Sequence, residues 1–105
     1  MKNQSQLDKH KEIYISIKLS HDKEIQELNK KYLDNDDTTD VLAFNMDEEQ
    51  KEGSYYLGDV IVNVDQAKRQ AGEYGNNLEE EISQLVEHGV LHLLGVHHEG
   101  DDKEE

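Results

Sequence analysis

The stretch Glu87-His88-Gly89-Val90-Leu91-His92-Leu93-Leu94-Gly95-Val96-His97-His98 carries four of the chain's six histidines. They stand among leucine and valine in a chain whose mean hydropathy is -0.99. On a helix, His88 and His92 would share a face, one turn or roughly 5–6 Å apart. That separation lets two imidazoles converge on one ion at Zn–N distances of roughly 2.0–2.1 Å. Gly95 offers a helix stop, and His98, six residues after His92, can close the same site from a loop. Three neutral imidazoles leave a fourth tetrahedral position open, as in catalytic more often than structural zinc sites. Coordination would also offset the cost of burying polar rings in an apolar segment. We therefore expect one zinc per chain on His88, His92 and His98, although nickel, copper or iron also suit three imidazoles.

The spacing is similar to the zincin pattern H-E-x-x-H-x-x-G-x-x-H, with one residue changed. Gly89 stands where a metalloprotease has its general-base glutamate. Glu87 is not a simple replacement, because neighbouring helical residues point about 100° apart. An ion with an open position can still polarise a phosphoryl oxygen and activate water. Phosphodiester hydrolysis is therefore the better chemical fit, and peptide hydrolysis the poorer one. Beyond the ligands, the catalytic residues are unassigned, with His97 and Asp40 as weak candidates. His97 could replace His98 as a ligand, act as an acid or base, or face solvent, and a solvent-facing or supporting role is favoured. Asp40 could orient a ligand, but holding the turn before its strand is the favoured role.

These side chains need a scaffold. Ile13, Ile15, Ile17 and Leu19 alternate as on a half-buried strand. Ser20 is placed to cap a helix running to about residue 33, with Ile25, Leu28 and Tyr32 at helical spacing. Residues 34–37 read as a loop and Val41 to Met46 as a second strand. A charged loop over 47–54 follows. Tyr55 to Val64 reads as a third, central strand, with Val60, Val62 and Val64 on one face and Leu57 and Ile61 on the other. Asp65 is placed to cap a short helix carrying Ala67, Ala71 and Tyr74. Asn77 and Glu80 have the spacing of a capping box. The histidine helix after them has Leu78, Ile82, Leu85, Val86, Gly89 and Leu93 at core positions, and its end is expected to be buried. The elements read from the chain are therefore three strands and three helices, the last of them a zincin-like histidine helix. Residues 1–105 form one domain, with 1–12 and 99–105 expected to be mobile.

Composition narrows the partners. The net charge is -14. Residues 1–52 hold 8 basic and 13 acidic residues, and the remainder 3 and 12. No basic stripe is available to neutralise phosphates, so DNA is not an expected partner and any RNA would be held through a metal. Lys68-Arg69 fits a solvated helix face better than an RNA contact. There is no cysteine, hence no disulfide and no thiolate site. Nothing resembles a signal peptide or a membrane span, so no membrane partner is expected. A cytoplasmic location is the matching expectation.

Taken together, HGVLHLLGVHH resembles the signature H-G-x-L-H-L-x-G-Y-D-H of the YbeY family of ribosomal-RNA maturation factors. Leu28-Asn29 to Tyr32 is similar to that family's LN-x-x-Y. Thr39-Asp40-Val41-Leu42-Ala43-Phe44 is similar to its TDVLSF, and Leu57-Gly58-Asp59-Val60-Ile61-Val62 to its LGDIVI. The resemblance runs from about Ile13 to Asp102. It implies an α+β fold, a small mixed sheet of about three to four strands covered by helices with the zincin-like histidine helix against it. It also implies a zinc-dependent endoribonuclease acting on single-stranded RNA in 16S rRNA 3′-end maturation and ribosome quality control. Ribosomal RNA and small-subunit components are the implied partners. The chain reads as a shortened, divergent member. Leu33 stands in place of an arginine after the tyrosine, Val96-His97 in place of Tyr-Asp, Ala43 in place of serine, and Asn45 in place of proline. Leu33 and the shortened form favour an alternative: a catalytically impaired, metal-stabilised module that binds ribosomal or protein partners.

Overall fold

A computed structural model describes residues 12–95. Three strands form one mixed sheet: β1 (Glu12–Ser20), β2 (Val41–Glu49) and β3 (Ser54–Asn63), in the order β1-β3-β2. β3 is central, as its two-sided apolar pattern predicts. It pairs parallel with β1 and antiparallel with β2. Helix α1 (Asp22–Leu33) covers one face. There Ile25, Leu42 and Ile61 are buried, with Leu28 and Phe44 packed around them. Helices α2 (Val64–Tyr74) and α3 (Leu78–Leu93) cover the other face. Tyr55, Leu57, Val60, Val62, Ala67, Leu85 and Leu93 are buried there.

Several expectations change in detail. Leu57 packs with Val60 and Val62, not with Ile61. The register of β3 against β1 steps from Tyr14–Tyr56 to Ile15–Gly58, so Leu57 is an extra residue. One extra residue flips every side chain before it to the opposite face. β2 also runs past Met46 to Glu49. An irregularity between Asn45 and Glu48, with Asp47 at φ 53, absorbs the charged residues assigned to a loop. The connection shrinks to Gln50 and the turn Lys51–Gly53. β1 begins at Glu12, within the end expected to be mobile. It is an edge strand: Ile15 reaches the core, while Ile13, Ile17 and Leu19 remain about half exposed. Tyr74, expected on the packed side of α2, is exposed as well.

The helix caps are also redistributed. Ser20 is the last, buried residue of β1, and its hydroxyl donates to Glu24. The N-terminus of α1 is capped from α2: the Asp65 carboxylate accepts the Asp22 backbone N–H at 3.0 Å and lies 3.2 Å from His21 Nδ1. Asn63, not Asp65, caps α2, accepting the Gln66 N–H at 3.2 Å. Asn63 is fully buried. Its amide donates to Asp22 at 2.8 Å and to the Thr39 carbonyl at 3.0 Å. Arg69 reaches the same Asp22 carboxylate with its two terminal guanidinium nitrogens, at 2.9 and 3.2 Å. Lys68-Arg69 is therefore exposed, but its arginine is committed to the fold. The Asn77–Glu80 capping box is present, with both bonds at 2.8–2.9 Å.

Candidate metal centre

α3 places the histidines, and two glycines set where α3 lies. Gly89 is buried over β3. A Cβ added there would come within 2.7 Å of Val60 Cγ1. Val60 is itself fully buried and, being β-branched, has few rotamers to retreat into. Position 89 is glycine because the helix rides close on the sheet, and a glutamate there would have no room. Gly58 does the same at the helix end. Its Cβ would come within 2.2 Å of the Phe44 carbonyl oxygen and 3.0 Å of Leu93 Cδ2. Leu93 is buried above it.

With Gly89 against the sheet, His88 and His92 occupy one flank of α3, as their four-residue spacing requires. His88 is exposed and His92 half-buried. The end of the helix is less covered than the sequence predicts, since Val90, Leu91 and Leu94 are each half-buried while Leu93 is sealed in. The helix ends at Leu93. Gly95 takes the left-handed conformation at φ 82, and its N–H bonds the His92 carbonyl at 3.0 Å. Asn45 of β2 donates its side-chain amide to the Leu93 carbonyl, also at 3.0 Å. An open groove of about 440 Å³ is lined by Gln84, Glu87, His88 and Leu91. Glu87 and His88 thus border one concavity despite the angle between them.

The expected third ligand, His98, and the candidate His97 lie outside the described residues. Among the described residues, no three His, Cys, Asp or Glu side chains gather to hold a metal. The two described donors nonetheless suit a borderline transition ion. They are imidazoles one turn apart, near the C-terminal, negative end of a helix dipole, which favours a cation. Asp40 is elsewhere. Its carbonyl accepts the Asn63 N–H at 2.8 Å and its carboxylate accepts the Gln70 amide at 3.1 Å. It holds the entry to β2, five residues or about 16 Å of strand from Asn45.

The whole chain, residues 1–105, matches the family model for endoribonuclease YbeY. The chain belongs to the endoribonuclease YbeY family. An endoribonuclease YbeY of Aquifex aeolicus is 49% identical over 94 residues, covering 89% of this chain and 61% of the relative. One of Persephonella marina is 45% identical over 93 residues, with 88% and 61% covered. The solution structure of TM1509 from Thermotoga maritima superposes with a TM-score of 0.56 at 34% identity, covering 97% of this chain and 65% of that one. The chain thus spans about three fifths of the length of these two YbeY relatives. The α+β class and the YbeY resemblance agree with these matches. Among the described residues, no helix is long and apolar enough to cross a membrane.

Two contributors escaped the sequence reading. Asn45 was noted only as a departure from a motif, although a polar residue breaking an apolar strand is a signal for a side-chain cap. The buried Asn63 had a fainter signal: a short polar residue directly before a helix.

Proposed function

We propose that this chain is a metal-dependent endoribonuclease that cleaves single-stranded RNA, acting in 16S rRNA 3′-end maturation and ribosome quality control. The observation that carries the reading is His88 and His92 on one flank of a helix locked against the sheet, in a chain of the YbeY family. His88 and His92 would hold the ion, with His98 as the expected third donor. When bound, such an ion supplies Lewis acidity toward a phosphoryl oxygen. The chain's own part is placement. The close approach at Gly89 fixes the height of α3 above β3, and the bond to Asn45 holds its last turn. Gln84 and Glu87 border the groove into which His88 opens, so a polar backbone entering there meets an amide donor and a carboxylate. The net charge of -14 works against RNA binding elsewhere on the surface.

The test is cleavage of a defined single-stranded RNA by the wild type, by the wild type with chelator, and by His92→Ala. Cleavage that disappears in both of the latter, with His92→Ala still folded, supports the enzyme. Undiminished cleavage by folded His92→Ala would refute it. A second reading, a metal-stabilised module binding ribosomal or protein partners without cleaving RNA, is favoured by Leu33. That residue lies exposed at the end of α1, where the family pattern has an arginine. Partner binding that survives in a wild type with no cleavage would select it.

A further inference from the structure

We infer that Asn45 is a positioning residue for the histidine site: its side-chain amide clamps the last turn of α3, in which His92 stands, onto the sheet. The inference rests on the metal-centre reading above.

The last carbonyls of a helix have no partner within it. At the end of α3 the Val90 carbonyl takes the Leu94 N–H and the His92 carbonyl takes the Gly95 N–H, each at 3.0 Å. Both bonds stay within the helix and its turn. The Leu93 carbonyl takes the Asn45 amide at 3.0 Å, and this bond crosses from helix to strand. Asn45 pairs with Gly58, the residue over which the Leu93 side chain closes. Leu93 is therefore gripped twice at one point of the sheet, by its side chain and by its carbonyl. It directly follows His92 and lies two residues before Gly95, whose backbone is left-handed.

Asn45 is itself exposed and belongs to neither buried cluster. Its hydrogen bond, rather than packing, is what it contributes. Helix ends fray, and a frayed last turn would have to be ordered again each time His92 binds an ion. A clamp made beforehand lowers that cost, so removing it should weaken metal affinity while leaving the fold in place.

The experiment measures zinc affinity by competition with a chromophoric chelator, and the visible absorption of the cobalt(II) form. The proteins are the full wild-type chain, Asn45→Ala and Asn45→Gln. Asn45→Ala is expected to keep its helix content, to bind zinc on the order of tenfold more weakly, and to show an altered cobalt spectrum. Asn45→Gln, which keeps an amide donor, is expected to recover most of the affinity. If the wild type binds zinc and Asn45→Ala matches it in affinity and cobalt spectrum, the positioning role is overturned. If the wild type binds no zinc, the metal-centre reading falls, and this inference with it.

Discussion

At the scale of single residues, Gly89 shows how packing can choose a residue that motif reading credits to chemistry. Its missing side chain marks the departure from the zincin pattern, yet the direct cause is the 2.7 Å approach to Val60 that any Cβ would make. Gly89→Ala therefore sets two effects against each other. Alanine gains about 1 kcal/mol of helix propensity, whereas overpacking a rigid core costs about 1–3 kcal/mol. We expect net destabilisation of about 1 kcal/mol in urea unfolding; a more stable variant would show that α3 can lift without loss. The tyrosines give a pH prediction. Burial, and then the neighbouring Asp47, push the Tyr55 hydroxyl up to about 12. The bond to Asp59, and then burial, do the same for Tyr56, also to about 12. The neutral phenols are thus favoured in the folded state. Their contribution is complete below the unfolded value of 10.0 and is lost as pH rises through about 12. Tyr55→Phe and Tyr56→Phe should flatten the fall in stability between those limits, read by denaturant midpoints at stepped pH.

At the scale of elements, three strands and three helices were legible because each carries its own period, whereas the mixed sheet followed from the YbeY resemblance. The histidine helix was clearest, with its capping box, its core stripe and a glycine stop. What could not be read were relations between elements. The extra residue at Leu57 moves that side chain across the sheet, and alternation alone cannot reveal it. Asn63, Asp65 and Arg69 each bond a residue more than 20 positions away. The two aspartates at this junction tie α1 to α2 electrostatically. Arg69, then Asn63, hold the Asp22 carboxyl below the usual carboxylate range. The Asp22 N–H, then His21, do so for Asp65. Their stabilisation is present above the unfolded carboxylate value of 3.8 and is lost as pH falls through their lowered values. Arg69→Met should therefore move acid unfolding, followed by circular dichroism, to higher pH; an unchanged midpoint would show that the junction holds without it. Asn77→Ala removes the cap of α3 and should cost about 1 kcal/mol, seen as a lower denaturant midpoint with an unchanged slope.

At the scale of the whole molecule, the chain is strongly acidic, and its described residues bury two small cores on either side of a three-stranded sheet. Cores this small carry thin margins of stability. A ligand bound only by the folded state raises apparent stability by mass action. Chelator should then lower the melting temperature, and equal melting with and without it would argue against a resident ion. The central claim is that His88, His92 and His98 hold one metal ion, and the most direct test is metal content per chain by elemental analysis. The comparison is between untagged wild type purified without chelator and His92→Ala. The account predicts about one zinc per wild-type chain and loss of that metal in the variant. No stoichiometric metal in the wild type, and none taken up on adding zinc, would contradict it.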